Sequence, residues 1–163
     1  MPKIYLATDI AAPIEICFDL SRSIEFHEAS TPPQSQEKAI AGKTSGLIEA
    51  NEDVTWHARH LGMWRTMTVR ILSMHRPHAF VDSMVEGPFK RFEHTHQFQT
   101  INGITCMKDT FNYTSPLGIL GRVVDAIFLK KYMEQLLKER NRSIKEAAET
   151  GKWKTYLSER ERL

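Results

Sequence analysis

At 163 residues, the chain is long enough for one domain with a full hydrophobic core and too short for two such domains. Hydrophobic residues make up 41% and charged residues 26%, which is ordinary for a soluble globular protein. The 22 basic and 20 acidic residues leave a net charge of +2. This balance gives no electrostatic reason to expect a nucleic acid or an anionic membrane as partner.

The two cysteines, Cys17 and Cys106, lie far apart in unrelated sequence contexts. The first residues lack the apolar core of a signal peptide, and no run approaches the 18 apolar residues of a membrane-spanning helix. We therefore expect a cytoplasmic protein without a membrane span, in which both cysteines are buried free thiols.

The first thirty residues predict a strand followed by two short helices. Residues 3–9 are rich in β-forming residues and end before Pro13, which suits the first turn of a helix. Apolar residues at helical spacing continue to Leu20, and a second helical segment covers about residues 21–28. The prolines that begin at Pro32 end this helical part.

After these prolines the hydrophobic period changes to two, which is typical of strands with one buried face. Asn102 and Gly103 are a strong signal for a two-residue hairpin turn. Together with residues 3–9, the segments of this region predict an antiparallel meander of six or seven strands. The predicted strands after residue 33 cover residues 37–43, 54–61, 64–74, 79–87, 92–101 and 104–114.

A long helix is predicted after the last strand. Ser115 is a favourable N-cap, Pro116 suits the first helical position, and Gly151 is a favourable end. Residues 117–129 are apolar on nearly every side of this helix. Because a helix that only covers a sheet needs one apolar face, the surplus indicates a helix that also lines a hydrophobic cavity.

The order of these elements predicts an α+β fold. A curved antiparallel sheet of six to seven strands wraps around the long C-terminal helix, and the two short helices after the first strand close one end. A sheet that grips a helix in this way is expected to leave a cavity between them. Residues 1–150 form the predicted single domain, and residues 151–163 form a C-terminal tail.

Several short strings resemble those of a known superfamily. They lie at residues 12–15 (APIE), 54–56 (VTW), 87–89 (GPF), 94–98 (HTHQF) and 115–118 (SPLG). Nearly the whole chain resembles the START-like, or SRPBCC, superfamily of helix-grip proteins, also described as Bet v 1-like. The superfamily includes lipid-transfer domains, plant allergens, polyketide cyclases and coenzyme Q-binding proteins. The strings look closer to its bacterial ligand-binding branch, labelled cyclase/dehydrase-like or cell division inhibitor-like. The resemblance implies a fold with a ligand cavity, and no particular chemistry, because the superfamily has no shared catalytic motif.

Strand alternation predicts which side chains face the cavity. From residue 92 to residue 98, aromatic and histidine side chains alternate with polar ones, so the former share the inner face. In residues 79–87 two sets compete, and we assign the inner face to the set that contains Phe80, Asp82 and Glu86. A mostly apolar pocket with a few polar groups is typical of a small-molecule site. The predicted ligand contacts on sheet and helix are Trp56, His60, Met84, Phe92, His94, His96, Phe98, Asp109, Phe111, Tyr113, Leu120 and Val124.

These features predict a protein that binds a hydrophobic or aromatic small molecule, such as a lipid, a quinone or a polyketide-like compound, without transforming it. We expect it to act as a monomer or homodimer, without a cofactor and without nucleic acid. An alternative of another class is a regulatory protein whose C-terminal helix and tail around Trp153 bind a partner.

The polar residues of the predicted pocket support three further interpretations. A cyclase- or dehydratase-type enzyme would use His94 or His96 as a base, oriented by Asp109 or Asp82. A metal site would combine the two histidines with His60 and a carboxylate. No cysteine cluster or His-Glu-X-X-His helix supports a metal, so we expect none. In the third interpretation, the histidines and carboxylates satisfy one another in a filled core or face solvent at the sheet rim.

Overall fold

The computed structural model describes residues 2–115 and 128–157. Within them, the strands form one antiparallel sheet of seven strands. The predicted α+β helix-grip architecture is confirmed, including the two short helices after the first strand. In chain order the elements are strand β1 (Lys3–Ile10), helices α1 (Ile14–Arg22) and α2 (Ile24–Ser30), a 3-10 turn (Pro33–Ser35), strands β2 (Lys38–Gly42), β3 (Asp53–His60), β4 (Met63–His75), β5 (Ala79–Glu86), β6 (Arg91–Ile101) and β7 (Ile104–Thr114), helix α3 (Lys130–Thr150) and a second 3-10 turn (Lys152–Thr155).

The strand order in the sheet is β1-β7-β6-β5-β4-β3-β2, so the first and last strands pair with each other. Strands β2 to β7 form the predicted meander, in which each strand pairs with its neighbour in sequence. The turn between β6 and β7 is the predicted one: Asn102 and Gly103 have φ angles of 50° and 79°, which asparagine and glycine tolerate best. Register shifts interrupt the pairing between β2 and β3 and between β4 and β5, and irregularities of this kind generally increase the local twist of a sheet.

Helices α1 and α2 cover one end of the inner sheet face. Phe18 of α1 contacts the rings of Phe80 and Phe98 edge-on, with centroid distances of 5.6 and 5.5 Å. The side chain of Ser23 caps α2 by accepting a hydrogen bond from the Phe26 N–H at 3.2 Å. The two helices are therefore fixed against the sheet, and their polar residues have defined positions.

Helix α3 is amphipathic and packs against β1, α1 and α2. It ends at Gly151, as predicted, with a φ angle of 79° that glycine adopts without strain. The earlier part of the predicted helix, residues 116–127, lies outside the described residues, and so do Leu120 and Val124. The buried residues of α3 are Leu137, Asn141, Ile144, Ala147 and Ala148.

The residues after α3 pack onto the domain as far as the structure describes them. Leu157 is buried, and the ring of Tyr156 meets Phe26 edge-on at 5.1 Å between centroids. Trp153 packs against the core. Across the described ranges, no helix is both long enough and apolar enough to span a bilayer.

The burial of the strand residues follows the predicted alternation. In β5, Phe80 and Asp82 are buried whereas Val85 is 55% exposed, so the assigned set faces inward. Glu86 was assigned to the same set but is exposed. β5 pairs with β6 only over residues 79–83, so Glu86 lies beyond the part of β5 that β6 flanks. The buried inner residues of β6 are Phe92, His94, His96 and Phe98.

Both cysteines are free thiols, but only Cys17 is buried. Cys106 is partly exposed, so the expectation that both are buried is wrong for this residue. The cause is strand parity: Cys106 lies on the outer face of β7, opposite the fully buried Met107.

Candidate functional site

A cavity of about 180 Å³ lies between the inner face of the sheet, helices α1 and α2, and helix α3. Most of its wall is apolar or aromatic, and polar groups enter it from α1, α2, β5, β6 and α3. This composition is typical of a small-molecule site. The apolar part of the wall includes Trp56, Met67, Val69, Phe92, Phe111 and Leu137.

Six of the predicted ligand contacts lie in the wall of this cavity. They come from β3, β6 and β7, so strand alternation alone brings them to one face. Contact between any of them and a ligand stays a prediction. The six are Trp56, His60, Phe92, His94, His96 and Phe111.

The other four predicted contacts on the sheet lie away from the wall. Phe98 packs under α1, and Tyr113 packs behind Phe111 with 5.8 Å between ring centroids. Met84 is partly buried against the core near the end of β5. Asp109 lies behind the two histidines, where its Oδ1 is 2.9 Å from His94 Nε2 and 3.0 Å from His96 Nδ1.

Four buried side chains of β5, β6 and β7 form one hydrogen-bonded chain, because the strand registers place Asp82 opposite His94 and His96 opposite Asp109. His96 lies between two carboxylates, with Nε2 3.0 Å from Asp82 Oδ2 and Nδ1 3.0 Å from Asp109 Oδ1. His94 Nε2 lies 2.9 Å from the same oxygen of Asp109. Asn141 of α3 donates from Nδ2 to the other oxygen of Asp109 at 2.7 Å. The chain thus links the sheet to α3.

The two carboxylates determine the protonation state of His96. Ionised carboxylates only accept hydrogen bonds, and a carboxylate oxygen lies 3.0 Å from each ring nitrogen of His96, an arrangement that favours a proton on both nitrogens. Burial alone would lower the pKa of His96, but the hydrogen bonds to Asp109 and Asp82 outweigh burial and raise it. Burial likewise acts to raise the pKa of Asp109, yet the hydrogen bonds from His94 and His96 hold that pKa well below its usual range. The chain therefore contains a charged imidazolium between two carboxylates.

His94 has the opposite protonation state. Burial and the positive charge of His96 lower the pKa of His94, so its ring is neutral at pH 7. The proton lies on Nε2, which donates to Asp109. Nδ1 therefore carries a lone pair, and it makes no hydrogen bond with any described residue. A neutral imidazole with a fixed tautomer on a cavity wall can accept a hydrogen bond or a proton from a ligand.

Arg140 of α3 brings a cation to the same cavity. One terminal nitrogen, Nη2, donates to the backbone carbonyl of Ser21 at 2.7 Å. Nε is buried and has no hydrogen-bond partner among the described residues. Burial lowers the pKa of Arg140, whereas the negative charges of Asp82, Asp109 and Glu37 act in the opposite direction.

A second polar pair lies in the region of α2. The ring of His27 stacks on Trp56, with 4.0 Å between centroids and 20° between planes. Its Nε2 lies 3.3 Å from Oε1 of Glu37. Burial and the charge of Arg140 lower the pKa of His27. Burial acts to raise the pKa of Glu37, but interaction with His27 lowers it, so this pair is a neutral imidazole beside a carboxylate.

Sequence reasoning missed the charged and amide residues that the helices bring to the site, namely Arg22, His27, Arg140 and Asn141. For Arg140 and Asn141, the spacing of the apolar residues in the sequence did indicate an inward position. Arg140 lies four residues after Leu136 and four before Ile144, and Asn141 lies four after Leu137, so both follow the inward stripe of α3. A polar residue within an apolar stripe is the pattern that indicates a buried polar group.

The residues that could hold a metal ion are Asp82, His94 and His96, whose ligand atoms lie within 4.8 Å of one another. Two nitrogen and one oxygen ligands would suit a divalent transition metal. However, each nitrogen of His96 already lies 3.0 Å from a carboxylate oxygen, and Arg140 places a further positive charge nearby. A metal would have to displace a proton from His96 against this charge, so the geometry favours the hydrogen-bonded chain.

The fold is shared with solved structures of low sequence identity. A protein of Thermus thermophilus matches with a TM-score of 0.70 and 19% identity, over 90% of this chain and 99% of that chain. A START superfamily protein from Mycobacterium smegmatis matches with a TM-score of 0.69 and 12% identity, over 90% and 97%. Ginseng major latex-like protein 151 from Panax ginseng matches with a TM-score of 0.66 and 14% identity, over 90% and 97%. No protein-family model and no curated protein matches the sequence.

These similarities define the class of fold. The chain shares with these structures the helix-grip fold that its order of elements predicted, and one of them is described as a START superfamily protein. Structural similarity at identities of 19% and below establishes the fold. The kind of ligand has to be inferred from the residues of this chain.

Proposed function

We propose that the protein binds a small apolar or aromatic molecule in the cavity between the sheet and α3. The observation that carries the proposal is an apolar and aromatic wall interrupted by a few oriented polar groups. Burial of apolar ligand surface would supply the main driving force, at about 25 cal/mol per Å². The polar groups would orient one end of the ligand.

The size of the cavity limits the ligand. Its volume of about 180 Å³ is similar to that of engineered apolar cavities of about 150 Å³, which bind benzene. A ligand with one ring and a short substituent therefore fits the described conformation. A long lipid, a prenylated quinone or a multi-ring polyketide would enter only after the wall moves.

Ethylbenzene is a suitable probe of this proposal, because it has one ring and no hydrogen-bonding group. We expect it to bind with a dissociation constant on the order of 1 mM or tighter, and to shift the NMR signal of the Trp56 indole N–H. Val69→Phe fills the cavity from its wall and should weaken binding at least about tenfold. Val85→Phe makes the same chemical change on an exposed part of β5 and should leave the affinity unchanged.

Circular dichroism and thermal unfolding would establish that both variants fold. Equal affinity of the two variants for ethylbenzene would place binding elsewhere on the protein. No binding to the folded wild-type protein, by ethylbenzene or by an equivalent ketone, would contradict the proposed function itself.

General-base catalysis is a second candidate, favoured by the neutral His94 with its unused Nδ1 and the supporting Asp109 carboxylate. Such a base would remove a proton from a carbon next to a carbonyl group and return one to the same carbon. In D₂O, acetophenone would then exchange its methyl protons for deuterium faster with the wild-type protein than with His94→Gln. Equal exchange rates in the two proteins would remove this candidate and leave ligand binding as the function.

A further inference from the structure

The two arginines that line the cavity differ in how fully they are paired. Arg22 Nε lies 2.8 Å from Asp19 Oδ1, and Nη1 lies 3.2 Å from the Ile48 carbonyl and 2.9 Å from Glu49 Oε1. Among the described residues, Arg140 makes one hydrogen bond, to a backbone carbonyl, and no ion pair within 4.0 Å. A guanidinium has five N–H donors, so Arg140 retains several for another acceptor.

A partly buried cation with unused donors is unfavourable unless something compensates for the lost water contacts. The neighbouring carboxylates reduce this cost through their charge at a distance, but none accepts a hydrogen bond from Arg140. Nε in particular is buried without an acceptor among the described residues. A ligand atom that accepts from the guanidinium would complete the pairing, as the protein itself does at Arg22.

The surrounding charges distinguish between two kinds of acceptor. Three carboxylates, those of Asp82, Asp109 and Glu37, act on Arg140 and face two cations, Arg140 itself and the imidazolium of His96. The other arginine of the wall, Arg22, has its own carboxylate partners, Asp19 and Glu49. The surroundings of Arg140 therefore already contain one more negative than positive group. A ligand carboxylate would add a further negative charge to this buried, low-dielectric region, whereas a neutral oxygen would add none.

We propose that the ligand carries a neutral carbonyl-type oxygen, as in a ketone, ester, amide or quinone, which accepts a hydrogen bond from the Arg140 guanidinium. This inference rests on the proposed function and specifies the ligand class for the same cavity. The apolar wall would hold the ring, and Arg140 would bind the oxygen at the α3 side. Plain hydrocarbons and anionic aromatic acids would therefore bind less tightly than a neutral carbonyl compound of the same size.

Three probes of nearly equal size test the proposal: ethylbenzene, acetophenone and benzoate. Acetophenone differs from ethylbenzene by one carbonyl in place of a methylene, and benzoate replaces the methyl group of acetophenone by a charged oxygen. We expect the wild-type protein to bind acetophenone about tenfold more tightly than ethylbenzene, because hydrogen bonds to charged groups are the strong ones. Benzoate should bind more weakly than acetophenone. Titration calorimetry and the Trp56 indole signal would measure all three.

Arg140→Met removes the donors while keeping an apolar side chain of similar length, and it should abolish the preference for acetophenone over ethylbenzene. Lys138→Met is the matched control, since Lys138 is an exposed cation on the same helix and pairs with Glu134. It should retain the wild-type preference. If Arg140→Met does not fold, Arg140→Gln serves as the second variant, and the comparison of probes on wild-type protein still stands.

The outcomes separate the two proposals. Equal binding of ethylbenzene and acetophenone at the cavity, or an unchanged preference in folded Arg140→Met, would overturn the inference and leave the proposed function intact. Tightest binding of benzoate would also overturn it, in favour of an anion site. Failure of both neutral probes to bind would instead count against the proposed function.

Discussion

Arg22 and Arg140 both line the cavity, but each is the centre of a different cluster of contacts. Their comparison shows that burial of an arginine does not by itself reveal its role. Around Arg22, the acceptors come from Asp19, Glu49 and a backbone carbonyl, and the arginine side chain is only 1% exposed. Arg76 also pairs with Glu49 and completes that cluster. Arg140 contacts one backbone carbonyl. The first cluster is satisfied within the protein and is structural, whereas the second retains bonding capacity that a ligand could use.

The largest expected effect comes from breaking the satisfied cluster. Arg22→Met would leave the carboxylate of Asp19 buried beside an apolar side chain, so the free energy of unfolding should fall by about 3–5 kcal/mol. Urea denaturation followed by circular dichroism would measure it. Arg76→Met is the control, because its partly exposed pair should contribute only about 0–1 kcal/mol. Equal losses in both variants would contradict the structural role of Arg22.

A smaller loss is expected from Asp109→Asn, which replaces the charged acceptor shared by His94, His96 and Asn141. The free energy of unfolding at pH 7 should fall by about 2–3 kcal/mol, because hydrogen bonds to a charged acceptor contribute about this much to stability. Urea denaturation at neutral pH would measure the loss. Asp53→Asn, at a partly exposed pair with Arg70, is the control with a small expected change.

The same variant should alter the acid side of the stability profile. The pKa of Asp109 is lower in the folded than in the unfolded protein, so its contribution is fully present above about pH 4 and is lost as the pH falls from there through the folded pKa. The decline in stability below about pH 4 should therefore be shallower in Asp109→Asn than in the wild type. An identical slope in the two proteins would mean that Asp109 is not held ionised by the histidines.

The smallest effect on stability is expected at Arg140. Arg140→Met removes an incompletely paired cation, which favours folding, but also removes the charge that offsets Asp82 and Asp109. These contributions oppose each other, so the free energy of unfolding should change by less than about 1 kcal/mol. A loss as large as that of Arg22→Met would show that Arg140 is structural and would weaken the comparison between the two clusters.

The sequence predicted the fold well because the signals for the elements are local. Alternation along β6 identified the face that carries His94 and His96, and the turn residues Asn102 and Gly103 placed the last hairpin. Strand parity could not predict that Asp109 lies behind the histidines and outside the wall. That depends on the register between β6 and β7 and on the covering helices, which no single strand encodes.

The helix residues of the site were harder to predict for a different reason. A helical arginine next to other charged residues is usually solvated, and residues 138–142 form such a polar stretch. Arg140 points inward because α3 packs against α1, where the carbonyl of Ser21 accepts its hydrogen bond. His27 and Glu37 are likewise paired only when α2 and the segment before β2 come together.

The sequence by itself therefore predicted the seven strands and the two short helices, their order, and the inner faces of β3, β4, β6 and β7, because hydrophobic periodicity and turn chemistry are local properties. Tertiary structure alone decided which polar groups satisfy one another and which are left for a ligand. His96 became an imidazolium between two carboxylates, while Arg140 retained unused donors. The physical reason is that hydrogen bonds and charges act over a few ångströms, between residues that only packing brings together.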